Sequence, residues 1–166
     1  MLHVKAGIIK KVSLIDYLNY IFSFWTILAG PIQRYRQFME TFYSEKPAKN
    51  DRQVFTHLHR ATNGLIKVLI IGSLFKYVAD WAYTNVEEGY FSLVNFALMF
   101  YSFPLFVYFN FSGYCDIVIA MAALAGFTIP ENFNKPYLSR TMIEFWNRWH
   151  ITLSQWLRDI GRMRTG

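Results

Sequence analysis

A single cysteine, Cys115, leaves no partner for a disulfide within the 166 residues and excludes a disulfide-stapled scaffold. Charge is scarce too: 17% of residues are Asp, Glu, Lys or Arg, against about 25% in an average soluble domain. No glycine-rich phosphate loop, no GxSxG nucleophile turn, no internal repeat and no low-complexity linker is present. Disorder is excluded by what fills the space. Hydrophobic residues make up 54% of the chain and aromatics 19%, an apolar surplus that disordered chains lack. The 17 Lys and Arg exceed the 11 Asp and Glu by six, a balance that suits either nucleic acid or an anionic membrane face. Where the charges are missing decides between the two.

Phe91 to Pro130 is 40 residues with one charge, Asp116, and Phe91 to Cys115 has none. A hydrocarbon core of ~30 Å is crossed by about 20 helical residues, so this stretch is long enough for two crossings. The break is expected within Asn110–Gly113, and Pro104 should kink the first crossing. Two further spans precede it. Tyr17–Gln33 is uncharged and closes on the helix-ending pair Gly30–Pro31. Leu65–Thr84 is interrupted by Lys67, Lys76 and Asp80; Lys76 and Asp80 are four apart and are expected to neutralise each other on one helix face. This second segment reads either as a span or as an amphipathic surface helix. The start, MLHVKAGIIKK, is basic but no small-residue cleavage site follows it, so the chain is expected to begin partway into a membrane protein.

Loop charge suggests an orientation. Gln33–Gly64 carries six bases against three acids, whereas Asn85–Tyr90 holds Glu87 and Glu88 and no base. Positive loops favour the cytoplasm, so the first reads as inside and the second as outside. Two crossings in Phe91–Pro130 would then leave the basic tail (Lys135, Arg140, Arg148, Arg158, Arg162, Arg164) outside, which conflicts with the same rule. Either one run is re-entrant or the tail is buried in protein.

That tail carries the polar chemistry. Read as one helix, residues 145–160 gather Phe145, Trp146, Trp149, Leu153, Trp156, Leu157 and Ile160 on one arc. Asn147, Arg148, Thr152, Ser154, Gln155, Arg158 and Asp159 fill the other. His150 stands at the border, where partial desolvation among tryptophans favours neutral imidazole with a nitrogen able to accept a proton. This suits a general base; an interfacial residue with an apolar body and polar tip is the alternative. His57 and His59 point to different helix faces, no Cys or carboxylate stands near them at metal-ligand spacing, and His3 lies in the basic start. Asp116, costly in an apolar run unless it faces protein or water, lines a polar cavity or caps a helix after the expected break.

The run PENFNKPYLSRTMIEFWNRWHITLSQWLRD, Pro130 to Asp159, closely resembles the signature of membrane-bound O-acyltransferases, in the branch of alginate O-acetyltransferase and teichoic-acid D-alanyl transferase. FWTILAGPIQRYRQF, Phe24 to Phe38, and FSGYCDIVIAMAALAGFTIPENF, Phe111 to Phe133, agree in the same order. The resemblance implies an all-α fold of multi-pass membrane helices, with an amphipathic or re-entrant C-terminal helix, in the cytoplasmic (inner) membrane.

It implies transfer of an acyl group, acetyl above all, from a thioester donor (acetyl-CoA or an acyl carrier) to a hydroxyl of an exported envelope polymer. The donor is a substrate; no resident cofactor or metal is expected. An extracytoplasmic acyltransferase, membrane lipids and a polysaccharide or other polymer are the expected partners, and nucleic acid is not. His150 matches the first of the family's two histidines and is the catalytic candidate. Asn147, Arg148 and Asp116 are candidates to contact substrate. The second histidine, in a tryptophan–histidine–glycine setting, has no counterpart, and Ile160-Gly161-Arg162 replaces an aromatic run. Residues 1–166 therefore read as part of such a domain whose C-terminal portion is missing, inactive by itself. The competing classes are a non-enzymatic channel or transporter fragment and a truncated chain with no activity.

Overall fold

The structure, a computed structural model, describes residues 13–23, 25, 30–44 and 49–165. Among these residues the fold is all-α, with one isolated antiparallel bridge, Phe133 with Trp149, and no strands. The basic start with His3 lies outside the described residues, as does the middle of the expected span Tyr17–Gln33. The described flanks of that span are a helix, α1 (Leu14–Ile21), and a non-helical stretch from Gly30 to Arg34. The chain divides into two compact units, Met1–Lys49 with Ala122–Gly166, and Asn50–Met121.

The second unit is a helical hairpin. Its first arm is α3 (Asp51–Ile66), a π-helical segment (Lys67–Gly72) and α4 (Ser73–Glu87) in one unbroken helical run. Asn50 starts it: its Oδ1 accepts the Gln53 N–H at 2.9 Å while Gln53 Oε1 accepts the Asn50 N–H at 3.2 Å, a reciprocal cap that satisfies two orphan donors. Gly89, at φ 91°, turns the chain towards α5 (Leu93–Leu124). The hairpin closes by stacking Phe75 on Phe109, with ring centroids 5.7 Å apart. Lys76 lies 5.9 Å above the Phe106 ring and pairs with Asp80 at 2.6 Å, as their spacing predicts.

The break expected within Asn110–Gly113 does not occur; α5 runs through it, and through Pro104, for 32 residues. Turn propensity loses here to burial. Gly113 is buried against the backbone of Gly64, and Ser112 is 4% exposed. An open turn there would strand backbone groups away from water. The region therefore holds one apolar helix, not two, and Asp116 sits within it rather than at a cap. Among the described residues, this is the one helix long and apolar enough to cross a membrane. Its outer face is greasy: Phe100, Tyr101 and Phe103, like Leu69, Ile70, Leu74 and Tyr77 on the first arm, are between 58% and 70% exposed. A water-soluble monomer rarely presents so much contiguous apolar surface.

In the first unit α2 (Tyr35–Phe42) carries Tyr35 and Phe38 into an aromatic core with Tyr20, Trp25, Phe42 and Phe127. Within α5's last turn, Gly126 at φ 90° lets the Phe127 N–H reach the Ala122 carbonyl at 2.8 Å and its own N–H reach Ala123 at 3.0 Å. That paired closure is a Schellman motif. A strap from Thr128 to Thr141, containing one short 3-10 turn (Pro136–Leu138), leads to α6 (Met142–Arg148) and α7 (Ile151–Thr165).

Gly64 and Gly113 generate the first prediction. A Cβ on Gly113 would stand 2.7 Å from the Gly64 carbonyl oxygen, 2.8 Å from Lys67 Cβ and 2.9 Å from Val68 Cγ2. Gly113→Val should cost about 1–3 kcal/mol, the usual range for overpacking, seen as a lower thermal midpoint in detergent. Gly161→Ala, where a Cβ meets open space on a helix, is the control and should hold or raise the midpoint. Equal midpoints for Gly113→Val and wild type would mean that these two helices do not touch as described.

Candidate functional site

The expectation of one amphipathic helix over residues 145–160 is corrected by the structure. α6 ends at Arg148, α7 begins at Ile151, and His150 stands between them with φ 45°. Left-handed backbone is uncommon outside glycine, but His is among the residue types enriched there. What holds it is the strap. The Asn134 N–H donates to the Arg148 carbonyl at 2.9 Å, and the Ile151 N–H donates to the Asn132 carbonyl at 2.9 Å. The backbone on both sides of His150 is thereby clamped to one extended segment, which breaks the helical ladder at that point.

Asn132 and Thr152 anchor the clamp. Asn132 is 1% exposed and Thr152 4%. Asn132 Oδ1 accepts from the Thr152 hydroxyl at 2.8 Å and from its N–H at 3.3 Å; the same hydroxyl accepts the Ile32 N–H at 2.9 Å. Gln33, next in sequence to Ile32, is also buried: it donates to the Thr128 carbonyl at 3.2 Å and accepts from Trp25 Nε1 at 3.1 Å. Ser154 closes the corner from the other side. Its N–H donates to the His150 carbonyl at 3.1 Å and its hydroxyl to the Trp146 carbonyl at 2.8 Å, so the start of α7 caps the end of α6.

His150 is half-buried, and burial pushes its pKa below the ordinary 6.5, opposed by a backbone hydrogen bond of the residue itself. Its position just ahead of a helix N-terminus also disfavours the imidazolium. The neutral ring therefore dominates at physiological pH, as a proton acceptor requires. Trp149 packs beside it on Phe133 (5.2 Å), Phe145 (5.6 Å) and Tyr137 (6.2 Å). Trp146 is 53% exposed and Trp156 45%. The arc that a continuous helix would have drawn is thus split, and Thr152, placed by that arc on the polar side, is a core residue.

The other expected site residues fall as follows. Arg148 lies two positions before His150, paired with Glu144 at 2.5 Å. Glu144 is held below the usual carboxylate range by the Arg140 backbone N–H first and Arg148 second. Asn147 accepts from Arg158 at 2.7 Å. Both thus have protein partners, Arg148 within α6 and Asn147 across the α6–α7 corner. Asp116 belongs to the other unit, where Arg60 (2.8 Å) and Lys67 (2.6 Å) grip its two oxygens. Asn132, Thr152 and Gln33 escaped the sequence reading. For Asn132 and Gln33 the one signal was a polar residue set among prolines and aromatics, as in PENFN and GPIQ.

The clamp can be tested by stability. Thr152→Val orphans the Ile32 N–H and takes one partner from Asn132, and should cost about 1–3 kcal/mol, the range for leaving a buried polar group unsatisfied. Asn132→Ala should cost at least as much. Because the two share one network, the double variant should fall short of the sum in thermal unfolding in detergent. Full additivity would mean that the two side chains do not act as one unit.

Comparison with known proteins places this corner in context. A sequence profile of the MBOAT (membrane-bound O-acyltransferase) family matches residues 1–159. The chain is 32% identical over 176 aligned positions to the teichoic acid D-alanyltransferase of Streptococcus thermophilus, covering 99% of this chain and 40% of that protein. It is 35% identical over 149 positions to a probable alginate O-acetylase of Pseudomonas fluorescens (89% of this chain, 29% of that one). It is 33% identical over 146 positions to the peptidoglycan O-acetyltransferase of Helicobacter pylori (87% and 27%). The chain thus spans between about a quarter and two fifths of these relatives' lengths. With the match running from residue 1 to residue 159, the chain belongs to the membrane-bound O-acyltransferase family.

Proposed function

We propose that these residues form part of an enzyme of the cytoplasmic membrane that moves an acyl group, acetyl or a comparably small one, from a thioester to a hydroxyl of an exported cell-envelope polymer. The observation that carries this reading is His150, clamped in left-handed backbone and kept neutral by burial at the mouth of a helix. In the step, a ring nitrogen of His150 takes the acceptor's hydroxyl proton as that oxygen attacks the thioester carbonyl. The C–S bond then breaks, the ester C–O bond is complete, and the proton passes to the departing thiolate sulfur. Water must be kept away, because it competes as acceptor. Acetyl-CoA or an acyl carrier is the proposed donor, and an extracytoplasmic acyltransferase the proposed partner in delivery to the polymer. Asn147 and Arg148, beside His150 in sequence, are the proposed substrate contacts.

The single crossing by α5 also supports an orientation. The α3–α4 arm is proposed as its membrane-crossing partner, which makes the protein multi-pass. With Gln33–Gly64 inside and Glu87–Glu88 outside, one crossing by α5 returns the basic tail to the inside, in agreement with the positive-inside rule. The conflict created by two crossings does not arise.

A chimera tests the catalytic reading. This segment, replacing the matching part of the Streptococcus thermophilus relative, should support D-alanylation of teichoic acid in cells lacking that protein. His150→Ala in the chimera should lower D-alanyl ester content by ~10²-fold, the scale of lost acid–base catalysis. His150→Gln separates roles: recovery of most activity would assign His150 to positioning, and none to proton transfer. Because the pKa is lowered, the neutral form survives to more acid pH, so the acid limb of the rate profile should fall below 6.5. The same sign governs stability. Below the unfolded value the unfolded chain binds the proton first, so His150 costs stability as pH falls from 6.5 towards the folded value. A well-expressed His150→Ala chimera with normal ester content would refute the assignment.

A further inference from the structure

Asp116 does more than pair across the hairpin. It also lines an open cavity of about 470 Å³, within the range of small-molecule sites. Thr56, His59, Arg60, Asn63 and Lys67 also line it, together with the apolar Ile66 and Ile71. Among the residues lining the cavity, two cations stand against one carboxylate, which leaves the lining positive by one charge. Lys67 donates once to Asp116, at 2.6 Å, and an ammonium carries three donors. The Lys67 side chain is 31% exposed and that of Asp116 17%, so the charge is open at the cavity side.

Depth along α5 identifies the surroundings. Its 32 residues extend about 48 Å at 1.5 Å per residue, against a hydrocarbon core of ~30 Å. Centred on the core, the helix projects roughly 9 Å beyond each boundary, and Asp116, eight residues from the end, is about 12 Å from it. The cavity therefore opens within a few ångströms of the boundary between acyl chains and headgroups. Leu65, Leu69 and Ile70, between 46% and 64% exposed, lie on the same helical run. Charge along the hairpin distinguishes its two ends. Arg52, Arg60 and Lys67 outnumber Asp51 and Asp116 at the cavity end, while Asp80, Glu87 and Glu88 outnumber Lys76 at the other. The cavity end is the positive one, which belongs at the cytoplasmic leaflet, where anionic lipids gather.

We infer that the Arg60–Lys67–Asp116 cavity is a binding site for a phosphoryl group, held by the two cations at the membrane boundary with an apolar tail along Ile66 and Ile71. The phosphoryl group can belong to an anionic lipid or to a soluble phosphate. Asp116 holds the cations in register and, as a competing anion, keeps the affinity moderate.

The test uses the full chain in dodecyl maltoside micelles doped with phosphatidylglycerol, with phosphatidylcholine or with phosphate-free diacylglycerol. A further arm compares inorganic phosphate with chloride at matched ionic strength. Bound lipid is counted by native mass spectrometry and affinity is taken from the shift in thermal midpoint. Phosphatidylglycerol should bind one per chain and raise the midpoint, diacylglycerol should not, and phosphatidylcholine should fall between. Lys67→Gln should weaken phosphatidylglycerol binding about fivefold or more, with Lys67→Arg near wild type, as expected for loss of a charge-assisted contact. Asp116→Asn should tighten binding, because it removes the competing carboxylate; a merely structural ion cluster would show no gain. A response to inorganic phosphate with none to phosphatidylglycerol would keep the phosphoryl site and assign it to a soluble ligand. Equal binding of all three lipids with no response to phosphate, or undiminished phosphatidylglycerol affinity in a folded Lys67→Gln chain, would overturn the proposal.

Discussion

Backbone amides and carbonyls have no water to turn to inside an apolar surround, and each one left unpaired costs about 1–3 kcal/mol. That requirement explains why α5 continues through Asn-Phe-Ser-Gly, a sequence that would turn in water. It explains why the first arm stays helical when its ladder widens to a π-helix at Lys67–Gly72, since the widened turns keep backbone pairing within the helix. It also accounts for the way α5 ends, on two backbone bonds closed around Gly126. Where helical pairing does stop, at His150, the strap at Asn132–Asn134 takes up the Arg148 carbonyl and the Ile151 N–H.

The same requirement applied to side chains sets the hairpin. An unpaired carboxylate in a membrane helix is costly, and Asp116 avoids this by gripping two cations from the facing arm. Such a grip needs the arms close together. Gly64 lies four residues after Arg60 and three before Lys67, and Gly113 lies three before Asp116. The two glycines meet backbone to backbone, which places the charges within reach. Glycine contact and ion cluster are thus one device: bulk at either glycine would separate the arms and leave the carboxylate unpaired.

How much of this was legible follows from which forces are local. The apolar run of α5 and the Lys76–Asp80 pair depend on composition and i,i+4 spacing, and both were readable; the all-α class came with the family resemblance. The continuity of α5 was not, because Asn110–Gly113 carries turn-forming residues and only the presence of Gly64 across the hairpin decides the matter. The corner at His150 was hidden for the same reason. Helical periodicity runs smoothly through residues 145–160, and the interruption comes from Asn132 and Asn134, which lie well outside any window drawn on that helix. His150 itself was legible as a candidate, but the means of holding it was not.

That hidden part bears on the chemistry. A histidine on an intact amphipathic helix would present its ring along the helix wall, free to change rotamer towards water. Placed instead in a left-handed joint with its neighbours' backbone clamped on both sides, His150 has a fixed main chain from which to project its ring. Catalysis by a base depends on holding the acceptor nitrogen within hydrogen-bond reach of the proton it takes, and small displacements are costly in rate. The clamp residues Asn132 and Thr152 are buried, carry no net charge and face one another. They therefore fix the geometry of the joint without altering the charge near the ring. This leaves desolvation as the main influence on the imidazole's proton affinity. Position and protonation are set by separate parts of the fold, so a sequence can vary the packing around the ring while the joint that aims it stays unchanged.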